Sequence, residues 1–174
     1  MTFGSRRGSC DKAHMTTATA LDPHIFGPGQ PCFGCSPEHP IGLRLTFSRI
    51  GEEIVTKLTP GDRYQGPPGI MHGGLVTTLA DELAVWTVLG LKERMTFTAA
   101  IQARLARPVR IGVEVEGRGR ITSDKGRVIE VGVTLAQEGV TCFTGQFTLA
   151  LLDERGAARV LGGPLPEAWR KFAR

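Results

Sequence analysis

The stretch His72-Gly73-Gly74-Leu75-Val76-Thr77-Thr78-Leu79-Ala80-Asp81-Glu82 sets two glycines and two carboxylates into what otherwise reads as an apolar helix. A helix start leaves backbone N–H groups unpaired and carries partial positive charge. With no side chains on Gly73 and Gly74, an oxygen bearing negative charge can reach those amides, which is the chemistry of an oxyanion hole. The same glycines would also serve close packing of the helix against a strand. Asp81 tips the reading toward chemistry. A carboxylate in an apolar helix is costly unless it is paired or reaches a cavity, and partial desolvation makes it a better base and nucleophile. Its structural alternative is a bond to Thr77 or Thr78 one turn back, or a place on a solvated face. Glu82, about 100° further round the helix, is expected to have only such a structural role.

Gly73 and Asp81 are eight residues apart, roughly 12 Å along one helix. Reacting atoms must come within about 3–3.5 Å, so one chain cannot bring both to a single carbonyl group. Two antiparallel copies of the helix about a twofold axis can, which predicts a C2 homodimer with two equivalent sites.

The elements that position these residues follow from periodicity. Leu43, Leu45 and Phe47 alternate with Arg44, Thr46 and Ser48, and a second strand is expected over 54–58. The helix carries apolar residues on most sides, so it is buried on most sides, and Gly90 is a suitable residue to end it. Four strand-like runs follow: "TFTAAIQARLARP", "RIGVEVEGRGRI", "RVIEVGVTLAQ" and "VTCFTGQFTLALL". Two strands, one long helix and a four-strand meander predict an α+β architecture, a single antiparallel sheet wrapped around one central helix. Residues 1–40 read as a tail and loop, 41–155 as the domain, and 156–174 as a tail with a short helix in "PEAWRKFAR".

The 174 residues are 41% hydrophobic, with net charge +4 and scattered basic residues, which favours an anionic small ligand over a nucleic-acid surface. No stretch looks like the ~20 apolar residues of a membrane span, and the start lacks a secretory signal, so a cytoplasmic protein is expected. Cys32 and Cys35 form a C-x-x-C followed by His39, and Cys10 or His14 could complete a zinc set. A redox pair is the other chemical reading of Cys32 and Cys35, but without a second tight cysteine pair the preferred reading is a plain Pro/Gly-rich loop, with no metal.

The motifs "HGGLVTTLADE", with His72 nine residues before Asp81, and "TAAIQARLARP", with Thr98 upstream of Arg107-Pro108, resemble the hotdog-fold acyl-CoA thioesterases of the phenylacetic-acid-degradation type. "CFGCSPEHPIGLRLTF" resembles an N-terminal signature of one branch, and the likeness covers about residues 32–152. It implies a hotdog fold and hydrolysis of an acyl-CoA thioester to a free acid and coenzyme A. It also implies a homodimer or dimer of dimers, no cofactor beyond coenzyme A as part of the substrate, and neither nucleic acid nor membrane as partner. Asp81 would be general base or nucleophile, the Gly73 N–H would polarise the thioester carbonyl, His72 would orient it, and Thr98 would position the water or the carboxylate. Gly74, Arg107, Arg110 and Arg127 are candidates for binding coenzyme A, since guanidinium pairs well with phosphate. The strand departs from the family in Gln102, Arg104 and Leu105-Ala106, which bears on the acyl pocket. Acyl-thioester dehydration or isomerisation, and a non-catalytic acyl-CoA sensor, are the alternatives. The first usually pairs a catalytic His with a carboxylate at another spacing, and the second has no need of Asp81.

Overall fold

The computed structural model describes residues 17–174; Cys10 and His14 lie outside them. Seven strands form one sheet: β1 (Thr19–Ala20), β2 (Phe47–Ile50), β3 (Glu53–Leu58), β4 (Thr96–Leu105), β5 (Val115–Asp124), β6 (Val128–Gln137) and β7 (Val140–Leu151). Their order is β1-β2-β3-β5-β6-β7-β4, and every neighbouring pair is antiparallel. The sheet wraps the central helix α1 (Gly73–Lys92), and two short helices, α2 (Glu154–Leu161) and α3 (Glu167–Arg170), follow it. This is the hotdog fold.

Alternation builds the wrap. In β6, Ile129, Val131, Val133 and Leu135 are buried against the helix, and in β7 so are Phe143, Phe147 and Leu149. The glycines of β5 let the helix sit close. A Cβ at Gly119 would lie 2.2 Å from Thr87 Oγ1, and one at Gly117 would lie 2.8 Å from Leu83 Cδ2. At these two positions β5 has no room for a side chain facing α1.

Several sequence expectations change at the boundaries. The first strand expected from the sequence, β2, begins at Phe47 rather than Leu43, because Arg44 adopts φ 52°, with its guanidinium donating to the His39 and Pro40 carbonyls. Leu43 and Leu45 are still buried. The helix does not stop at Gly90 but runs to Lys92, with Glu93 as its left-handed cap. Gly90 has a packing role instead: a Cβ there would meet Leu21 Cδ1 at 2.7 Å and Ile54 Cδ1 at 2.8 Å. At 20 residues α1 is also long and apolar enough to span a bilayer, contrary to the expectation that no stretch is. Half of it is buried in protein and the sheet encloses it, as befits a core helix.

The segments expected as tails belong partly to the core. Trp86 of α1 stacks on Phe47 at 4.6 Å and meets the edge of Phe26, which in turn contacts Trp169 and Phe172. Trp169 Nε1 donates to the Phe26 carbonyl, and Leu165 and Phe172 are buried. Residues near both ends of the described chain thus close one side of α1.

Candidate active site

Each glycine at the start of α1 has its own reason. His72 is the N-cap, and its Nδ1 accepts from the Gly74 N–H at 3.0 Å. Because Nδ1 accepts, the neutral ring carries its proton on Nε2. A Cβ on Gly74 would lie 3.1 Å from that Nδ1, a tight contact that glycine avoids where the imidazole folds back. The His72 carbonyl accepts from Leu75 and Val76. The Gly73 N–H donates to no acceptor among the described residues. It is the unpaired donor of the helix start, and a Cβ at Gly73 would lie 3.1 Å from Leu105 Cδ2. An oxygen approaching the Gly73 amide therefore passes beside Leu105.

Two turns on, Asp81 is half-buried, and Thr98 Oγ1 donates to its Oδ1 at 2.6 Å. Thr77 and Thr78 are not its partners; their hydroxyls donate to the Gly73 and Gly74 carbonyls. Burial raises the Asp81 pKa above the ordinary carboxylate range, and the Thr98 hydroxyl partly opposes this. Thr98 owes its direction to a bulge. The β4–β7 register runs Thr98↔Leu149 and then Ala100↔Thr148, leaving Ala99 as the extra residue. Bulges commonly re-aim side chains beside functional sites. Here the bulge keeps Thr98 opposite Leu149 and Ile101 opposite Phe147, both on the helix side of the sheet.

That side of β4 is uncovered. Ile101 and Leu105 face inward by register, opposite the buried Phe147 and Phe143, yet they are 41% and 52% exposed. The strip joins Asp81 and Thr98 at one end to Gly73 at the other. Among the described residues β4 is also an edge strand, paired only with β7.

The basic candidates do not form one group. Arg110 bridges to Ile70 just before the helix start, and Arg107 shares a depression with it beside Gln137 and Glu138. Arg127 lies at the other end of β6, in the turn from β5, where its carbonyl accepts from Leu151. All three are exposed.

Glu82 was expected to be a plain structural residue, and the C-x-x-C a plain loop; the two meet. Cys32 Sγ lies 3.0 Å from Glu82 Oε1, and Cys35 Sγ joins them. The hydrogen bond from Cys35, helped by Glu82 and by the Cys35 and Gly34 backbone N–H groups, holds the Cys32 thiol down to about 5 against the effect of burial. The same bond and burial push the Cys35 thiol up. Burial, then the Cys32 charge, pushes Glu82 up to about 8. His39 stands apart from the group, its ring against Phe33 at 5.4 Å. Fifty residues separate Cys32 from Glu82, and no local spacing could announce the contact; Gly34 was the available sign.

Residues 68–143, which hold α1, β4, β5, β6 and the start of β7, match the family model of the thioesterase superfamily. No curated protein matches the chain. A solved thioesterase superfamily protein is 21% identical with a TM-score of 0.63 over 68% of this chain; the chain spans only 59% of that protein's length. A thioesterase from Haemophilus influenzae is 22% identical with a TM-score of 0.60, over 68% of this chain and 85% of its own. A Streptococcus mutans protein solved with acetyl-CoA bound is 18% identical with a TM-score of 0.55, over 57% of this chain and 81% of its own. These structures share the fold with the chain.

Proposed function

We propose that the chain hydrolyses an acyl-CoA thioester to a free acid and coenzyme A, as the phenylacetic-acid-degradation type of hotdog thioesterase does. The observation that carries this reading is Asp81, half-buried on the central helix and gripped by Thr98 at 2.6 Å. It lies in the same superfamily-matching segment as the unpaired Gly73 N–H. Such a carboxylate takes a proton from water as the water oxygen attacks the thioester carbon. Negative charge then develops on the carbonyl oxygen, which accepts a hydrogen bond from the Gly73 amide. Collapse of the tetrahedral intermediate expels the coenzyme A thiolate. In the nucleophilic form of the same reading, Asp81 attacks the carbonyl itself, the C–S bond breaks with loss of the coenzyme A thiolate, and water cleaves the resulting mixed anhydride to the free acid and the Asp81 carboxylate. Either route needs a carboxylate at this place.

The 12 Å or so between Gly73 and Asp81 on one helix requires that the amide come from a second copy of the chain. The free edge of β4 and the uncovered Ile101 and Leu105 favour such a dimer. The relative solved with acetyl-CoA makes coenzyme A the natural carrier of the acyl group, with Arg107 and Arg110 near the helix start available to its phosphates.

Thiol release from short-chain, long-chain and aromatic acyl-CoA esters tests the reading. Wild type should release coenzyme A from at least one class, and Asp81→Ala should lose roughly 10²–10⁴-fold in kcat. No release from any ester, or an Asp81→Ala chain as active as wild type, would refute it.

A further inference from the structure

The Cys32–Cys35–Glu82 group plays no part in that reaction, yet it is built with care. Both sulfurs and a Glu82 carboxylate oxygen lie within 4.8 Å of one another. The loop that carries the cysteines is fixed: the Ser36 N–H donates to the Cys32 carbonyl, Leu43 to that of Phe33, and Leu45 to that of Gly34. Gly34 lies directly against Glu82. A Cβ there would sit 2.1 Å from Glu82 Cγ and 2.6 Å from Oε1. The loop has given up a side chain so that a carboxylate can stand beside two thiols.

Without a cation this arrangement is a poor one. Three acidic groups share a partly or fully buried place, and no Lys, Arg or His among the described residues forms an ion pair with Glu82. Buried charges are ordinarily paired or bound to a metal, and apolar side chains would fill the same space at less cost. The donors are two soft sulfurs and one carboxylate oxygen, a set that suits zinc and excludes magnesium or calcium.

The distances agree. Zinc bonds of about 2.3 Å to sulfur and 2.1 Å to oxygen put tetrahedral ligands about 3.8 Å apart (S to S) and about 3.6 Å apart (S to O). The group already lies within 4.8 Å, and its 3.0 Å sulfur–oxygen contact need open by only about half an ångström. Gln30, itself buried, sets Nε2 3.9 Å from Cys35 Sγ, where it can donate to a thiolate as an outer-shell partner.

We propose that Cys32, Cys35 and Glu82 bind a zinc-class divalent cation, with water as the fourth ligand. Binding displaces to solvent whatever protons the three ligands still carry and ties the loop before β2 to α1, one residue past Asp81. Cys32 and Glu82 are only half-buried, which gives the ion a way in.

Reduced, chelator-stripped wild-type protein, titrated with zinc against a chromophoric chelator and separately with cobalt, tests this. One equivalent per chain should bind. Cobalt should give thiolate charge-transfer absorption and the intense visible bands of a tetrahedral site, which zinc then bleaches. Zinc should raise the Tm of wild type. Cys32→Ser and the isosteric Glu82→Gln, with folding checked by circular dichroism, should each weaken binding by more than the roughly 10–100-fold that loss of an outer-shell partner costs. Failure of reduced wild type to take up either ion would overturn the proposal, and so would uptake undiminished by Cys32→Ser. If wild type takes up no metal but loses two thiols to oxidised glutathione, the group is a redox pair instead.

Discussion

If Asp81 carries the proposed reaction, its single hydrogen bond from Thr98 should help set the pH range. Burial disfavours the charged carboxylate and so raises its pKa, while the Thr98 hydroxyl favours that form and pulls the pKa back. In the proposed reaction Asp81 acts when ionised, so activity should fall as pH drops through its raised pKa, at a higher pH than an ordinary aspartate would give. Thr98→Val removes the opposing donor. Its acid limb should move to still higher pH, with a several-fold loss of kcat on the acid side, whereas Thr98→Ser should keep the wild-type profile. A pH–kcat series on the three chains checks this, and an unmoved limb in Thr98→Val would mean that another group controls it. The helix start makes a separate prediction. His72→Ala removes the side-chain N-cap of α1, and chemical denaturation should show a loss of about 1 kcal/mol.

Elements are held by how closely α1 approaches the sheet, and β5 glycines set that distance. Gly119→Ala would place a methyl 2.2 Å from Thr87 Oγ1 and 3.3 Å from Leu83 Cγ. Overpacking of this kind costs about 1–3 kcal/mol, or roughly 2–12 °C in Tm for a chain of this size. Gly163→Ala, with nothing within 4 Å of the added carbon, should leave the Tm within about 1 °C. Thermal unfolding of both chains separates packing from glycine content. The sequence was informative where alternation is local: β6, β7 and the burial of α1 follow from spacing that one strand or one helix contains. It was silent where a distant residue decides. Gly90 looks like a helix end until Leu21 and Ile54 are seen against it. Leu43 and Leu45 alternate like a strand, but the positive φ at Arg44 is set by carbonyls of the preceding loop. In the site, His72, Gly73 and Asp81 were visible as one motif within one helix. The contact of Glu82 with Cys32 depends on tertiary structure and left only Gly34 as a trace.

At the scale of the whole molecule, the proposed site draws on the start and the middle of a helix that one chain cannot fold back on itself. The proposed dimer resolves this, with Gly73 of one copy facing Asp81 of the other across the uncovered strip of Ile101 and Leu105. Ile101→Glu should give a folded monomer by sedimentation, with activity lost alongside association. Complementation is the sharper measurement. Asp81→Ala and Gly73→Val chains should each be nearly inactive alone. A hybrid dimer joins the intact Gly73 of the first to the intact Asp81 of the second, which rebuilds one of its two sites. In a random one-to-one mixture half the dimers are hybrids, so activity should return to about a quarter of wild type. A site made wholly within one chain would be damaged in every subunit of the mixture. Activity would then stay at the level of the parent variants, and the shared site would have to be given up even if thiol release by wild type stood.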